Sequence, residues 1–157
     1  MIFVTVGTHQ DGFPRFLAAV ETLEGSDLVV QHGPGPAPRN ASVAEAFMPF
    51  PRIMEYFRAA DRVVMHAGVG SVLLAVRCGH VPVIVPRLHR LGEHVDDHQS
   101  DLARGLEASG RARVAWDTAD LQAVLSETPA RAAAVDLPQT GLHSAVRSLL
   151  LASARQR

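Results

Sequence analysis

The chain has 157 residues, a net charge of −1 and 47% hydrophobic residues, which is enough for one domain with a real core. That balance excludes a basic nucleic-acid surface, and no run approaches the ~20 apolar residues of a membrane span. All fifteen basic residues are arginines, as in a GC-rich coding sequence of bacterial type, and the lack of lysine excludes a P-loop site. The single cysteine, Cys78, allows no internal disulfide and suits a reducing compartment. The start, MIFVTVGTH, lacks the basic residues and cleavage-like tail of a secretory leader.

MIFVTVG, closed by Gly7, predicts a first strand. FPRFLAAVETL places Phe13, Phe16, Leu17, Val20 and Leu23 at helical spacing. LVVQHG predicts a second strand, GPGPAPRNA a breaker-rich loop and AEAFMPF a third short strand. PRIMEYFRAA predicts a helix opened by Pro51, DRVVMH a strand, and VGSVLLAVRCG a helix stopped at Gly79. VPVIVPR predicts a strand, and EHVDDHQSDLARGLEASG contains a helix stopped by Gly110. ARVAW predicts a last strand, and TADLQAVLSE a helix with Thr118 as its N-cap. TGLHSAVRSLLLASARQR, residues 140–157, predicts a terminal helix.

Strands and helices alternate, and the strands are apolar along their whole length. This predicts an α/β, Rossmann-like parallel sheet of about six strands with helices on both faces. The whole chain, 1–157, reads as a single domain. Ligands of such sheets bind where strands end and helices begin, which singles out loops 7–12, 32–41, 66–71 and 87–99.

In HAGVGS, a helix N-terminus with Gly68 and Gly70 suits a phosphate, to which Ser71 and His66 can donate. The same glycines also suit a tight turn that only helps the helix pack. RLHRLGEHVDDHQ is dense in polar groups. It suits a hydroxyl-rich ligand, a metal held by His94, Asp96 or Asp97 and His98, or a solvated loop before an acidic helix start. Thr8 and His9 suit either a ligand contact or a polar turn. Phe47 to Phe50 suits core packing, or an edge that reads a flat base. Cys78 reads as a packed small residue.

HAGVGSVLLAVRCGHVPVIVPR followed by GEHVDDHQ resembles the C-terminal, donor-binding half of family 28 glycosyltransferases, in the MurG-like GT-B superfamily. With FVTVGTH at the start, the chain more closely resembles the small soluble subunit of two-subunit UDP-sugar transferases. Those enzymes act in exopolysaccharide or lipid-linked oligosaccharide assembly. The resemblance covers residues 1–125. It implies a single GT-B lobe that binds a UDP-sugar without metal or other cofactor. It also implies inverting transfer to a lipid-diphosphate-linked saccharide, with a membrane-anchored acceptor-binding partner. The chain would then be cytoplasmic, held at the inner face of the membrane through that partner.

Carried over by position, Thr8, His66, Gly68, Gly70 and Ser71 would meet the diphosphate. Phe47 and Phe50 would meet uracil, and Glu93, Asp97, His98 and Gln99 the donor sugar. The catalytic base would come from the partner, with His9 the candidate within this chain. Leu74 stands where many relatives carry an acidic ribose-binding residue, and Gly12-Phe13-Pro14-Arg15 where relatives often read Pro-Phe-Asp-Arg. Arg87 or Arg90 would suit a carboxylated donor. The terminal helix aligns Leu142, Ala145, Val146, Leu149 and Ser153, a stripe for the chain's own core or for partner docking. A non-catalytic nucleotide-sugar-binding scaffold and a metal-dependent hydrolase are the competing functions.

Overall fold

The computed structural model describes residues 1–24 and 27–131, so the segment 140–157 and its stripe lie outside the described residues. The elements run β1 (Ile2–Thr5), α1 (Pro14–Val20), β2 (Leu28–Gln31), β3 (Val43–Glu45) and α2 (Phe50–Ala59). There follow β4 (Arg62–His66), α3 (Val69–Arg77), β5 (Val83–Val85), α4 (His98–Ala108), β6 (Arg113–Val114) and α5 (Leu121–Glu127). The strands form one six-stranded sheet in the order β3-β2-β1-β4-β5-β6, and every pairing is parallel. β1 is central, with Ile2 beside both Leu28 and Arg62. The chain therefore runs outward to one side, returns, and continues on the other side of β1. That reversal between β1 and β4 is the topological switch point of a doubly wound sheet.

Apolar residues along the whole strand are required because both faces are covered. Ile2, Val4, Leu28, Val30, Val64, Val83 and Val85 face a core closed by Phe16, Leu17 and Val20 of α1 and by Leu121 and Leu125 of α5. Their neighbours Phe3, Val29, Val63, Met65 and Ile84 face a second core, closed by Phe57 of α2, Val72 and Ala75 of α3, and Ala103 and Leu106 of α4. Successive residues thus change face without changing polarity.

Two boundaries differ from expectation. β3 is only three residues long, and the chain from Phe47 onward leaves the sheet. Pro49 precedes α2 and Pro51 lies in its first turn, so this stretch cannot extend a hydrogen-bonded ladder. Thr118 is not the cap of the following helix. Asp117 accepts the Ala119 N–H at 2.9 Å and opens a 3-10 turn, Thr118–Asp120, from which α5 continues. The glycine stops are as expected, with Gly79 at φ 84° and Gly110 at φ 68°.

Leu17 is 1% exposed on the face between α1 and the sheet. Leu17→Ala should cost about 2–5 kcal/mol through lost burial and a cavity. Urea unfolding should show a lower midpoint with an unchanged slope.

Candidate functional site

The loops leaving β1 and β4 face each other across the switch point, and α4 brings one more residue to them. Thr8, His9, Gln10, Asp11, His66 and Gln99 line a pocket of about 490 Å³. Three of the four loops singled out in the sequence thus contribute side chains. Loop 32–41 does not; His32 turns inward and its Nδ1 lies 2.8 Å from the Gly35 carbonyl oxygen.

His66 ends β4 and is buried. A Cβ at either Gly7 or Gly68 would run into its ring, so the two glycines flank the imidazole. Gly68 is accordingly fixed by packing against His66. Gly70 is different, since a Cβ there meets nothing within 4 Å. Gly70 is exposed and Ser71 half-buried, one turn beyond the pocket-lining His66. The N-terminus of α3 has no side-chain cap. Its first N–H groups have no partner within the helix and are available to an acceptor.

Burial pushes the His66 pKa well down, to about 4. The Arg87 guanidinium adds to this, as do the His9 and His94 rings more weakly, while the Thr5 backbone partly offsets it. The Nδ1 atom of His66 is buried without a hydrogen-bond partner among the described residues. His66 is therefore neutral near pH 7.

His9 accepts the Asp11 N–H through Nδ1 at 3.2 Å. In the neutral ring this places the proton on Nε2, making that edge a donor. The His9 ring lies 5.6 Å from that of His94. His94 Nδ1 is 2.9 Å from Asp96 Oδ1, and His98 Nδ1 is 2.8 Å from Asp96 Oδ2. Asp96 also accepts the His98 N–H, the main cause of its lowered pKa, and so anchors the start of α4. No group of three or more His, Cys, Asp or Glu among the described residues is placed to hold a metal ion.

Of the sugar-site residues expected from the sequence, the structure brings only Gln99 into this pocket. Its Oε1 accepts the Arg87 N–H at 3.1 Å. Glu93 is engaged elsewhere. Its carboxylate takes two 2.8 Å hydrogen bonds from Arg15 and one of 3.0 Å from the Leu88 N–H. Burial alone would raise the Glu93 pKa, but these donors outweigh it and the pKa is lowered. Asp97 is exposed and makes no capping bond, and the largely exposed His98 ring is held by Asp96.

Arg87 is 0% exposed, so it cannot meet a donor carboxylate, whereas Arg90 is exposed. Phe47 and Phe50 are 53% and 61% exposed, against the core packing that their composition suits. Phe47 stands on the loop leaving β3 and Phe50 at the start of α2, both outside the pocket lining. Leu74 packs half-buried against the core beneath α3. Gln10 and Asp11 line the pocket, although no motif in the sequence marks them. Their position just after β1 was the available signal.

The 3-2-1-4-5-6 parallel sheet, with a pocket at the β1/β4 switch point, defines a Rossmann-like α/β domain of the kind that binds nucleotides. The model of the glycosyltransferase family 28 C-terminal domain matches residues 1–133, and the chain belongs to that family. It is thus a glycosyltransferase domain with a nucleotide-sugar-binding role. No curated protein matches it.

The unfolded chain protonates its histidine near pH 6.5 and the folded protein protonates His66 near 4. Stability should therefore be full above about pH 6.5 and fall as the pH drops towards 4, by about 3 kcal/mol from this group. Buried His80 is shifted in the same direction and adds to the slope. Urea unfolding at about pH 7.5 and about pH 5 should show a smaller loss for His66→Gln than for the parent. An equal loss would remove His66 as the cause.

Proposed function

We propose that this chain is the donor-binding subunit of a split, inverting glycosyltransferase. It would move a sugar from a UDP-sugar to a lipid-diphosphate-linked saccharide, with a membrane-anchored partner supplying the acceptor wall. Membrane attachment is assigned to the partner; among the described residues of this chain no helix is long and apolar enough to cross a membrane. The observation that carries the reading is the uncapped start of α3, open at Gly70, next to neutral His66. Such a terminus favours a diphosphate through its unpaired N–H groups and helix dipole.

In this mechanism the acceptor hydroxyl attacks the anomeric carbon in line with the leaving group. The new carbon–oxygen bond forms as the bond to the diphosphate breaks, and UDP departs with the electron pair. The hydroxyl proton passes to a base. The α3 amides, Ser71, Thr8 and His66 would stabilise the departing charge without metal. His9 Nδ1 is occupied by the Asp11 N–H, so its free edge donates and the base is assigned to the partner. Exposed Phe47 and Phe50 offer an apolar platform for uracil on the neighbouring loop. Gln99 offers its NH2 group to the sugar.

The test is calorimetry of the purified chain with UDP and UDP-sugars in the presence of EDTA. UDP binding that persists supports the reading; its disappearance on chelation would overturn the metal-free site. Reconstitution with the partner should then give transfer that neither component shows alone.

Gly70→Ala meets no steric conflict within the chain and lies in a helix, so stability should hold or rise slightly. UDP affinity should nevertheless fall, by about tenfold or more, if backbone approach to the phosphates is needed. Unchanged affinity would place the phosphates elsewhere.

Gln99→Ala should weaken UDP-sugar binding by about 1–3 kcal/mol more than UDP binding. Equal losses for the two ligands would move Gln99 out of the sugar site.

A further inference from the structure

Arg87 lies two residues beyond β5 and is wholly buried. A buried guanidinium needs partners for its donors; here the two terminal nitrogens find backbone carbonyls, while Nε has no hydrogen-bond partner among the described residues. Nη1 donates to Gly12 O at 2.9 Å and to Glu93 O at 3.4 Å, and Nη2 donates to Asp11 O at 3.0 Å. The cation also sits 4.5 Å from the centre of the Phe13 ring. One side chain thereby joins the loop after β1, which lines the pocket, to the loop before α4, the helix that supplies Gln99. The backbone of the same residue makes the contact to Gln99 Oε1. That bond occupies the amide oxygen and leaves the NH2 group without a partner among the described residues.

We propose that Arg87 is a positioning residue of the pocket: its guanidinium sets the spacing of the two loops, and its backbone N–H presents Gln99 to the ligand as a hydrogen-bond donor. The ligand side of this proposal rests on the donor-site reading above; the loop geometry does not. A site that offers an NH2 group in a fixed orientation selects a hydroxyl or carbonyl oxygen. On the donor-site reading that oxygen belongs to the sugar and not to the bare nucleotide.

The charge of Arg87 gives a second, independent readout through His66. The charged or titratable side chains whose electrostatics act on the His66 ring are Arg87, His9 from the β1 loop and His94 from the loop before α4. Asp11 shares the pocket, Glu93 lies beside Arg87 and Asp96 is bonded to His94. Removing the Arg87 cation should therefore raise the His66 titration midpoint, with burial keeping it below the ordinary value.

Two variants separate these effects. Arg87→Lys keeps a cation but loses the planar fork that spans Asp11, Gly12 and Glu93. Arg87→Met also removes the charge. The ligand probes are UDP alone and a panel of UDP-glucose, UDP-galactose, UDP-N-acetylglucosamine and UDP-glucuronate, with EDTA present. In Arg87→Lys the preference of the best panel member over UDP should fall about tenfold. Hydrogen exchange of the amide at position 87 should speed up about tenfold, relative to the amide of core Val64. In Arg87→Met the His66 midpoint, followed by NMR of the free protein, should move upward.

A folded Arg87→Lys protein with unchanged preference and unchanged exchange at position 87 would overturn the proposal. So would acceleration equal at position 87 and Val64, which marks a merely global role. If the parent binds no panel member, the donor reading fails, and the exchange and titration results alone decide whether Arg87 sets the pocket. If Arg87→Met does not fold, the preference and exchange measured in Arg87→Lys decide between the two outcomes.

Discussion

The carboxyl edge of this sheet depends on one buried cation. Taking a guanidinium out of water is costly, and the cost is recovered only if its donors and charge are matched. Arg87 meets carbonyls from Asp11, Gly12 and Glu93, lies over Phe13, and feels the nearby Glu93 carboxylate, although its Nε has no partner among the described residues. Burial still lowers its pKa, with Glu93 and Asp11 acting in opposition. Glu93 in turn is held by Arg15 of α1, which also donates to Pro86 O at 3.0 Å. Arg15 and Arg87 thus tie α1 and the loop after β1 to the loop before α4. The His9 and His94 rings, 5.6 Å apart, add a contact between the same two loops.

This arrangement hides its formal positive charge. Among the described residues, the pocket lining contains two histidines, one carboxylate and no arginine. A phosphate entering this pocket would meet backbone dipoles and the neutral His66 imidazole rather than an arginine. Such groups are fixed before the ligand arrives and need little rearrangement as charge develops. The glycines in the HAGVGS stretch divide between two tasks. Gly68 makes room for the ring of His66, and Gly70 leaves the helix start uncovered.

The sheet was legible because parallel strands covered on both faces must be short and apolar, and those runs stand out against the breakers between them. β3 was less legible. Its apolar neighbours Phe47 and Phe50 resemble strand residues by composition, yet proline removes the N–H groups a ladder needs. The pocket was legible at His66 and Gln99, which lie at a strand end and a helix start. Inside the polar loop 87–99, composition could not say which side chain turns inward. Glu93 and Asp97 look alike in sequence, but only Glu93 meets Arg15, 78 residues away in the chain. Arg87 was not legible as a buried residue for the same reason. Its carbonyl partner at Gly12 is 75 residues distant, and nothing local announces the contact.

The packing around His66 also limits the order in which this loop can change over evolution. While a ring occupies position 66, alanine at position 68 collides with it, so the two positions are epistatic. Losing the ring first would open position 68 to larger residues. Position 7 would gain no such freedom, because its φ of 78° keeps glycine favoured after the collision is gone. Of two glycines that touch the same imidazole, one is therefore conditional on the histidine and the other is held by its own backbone.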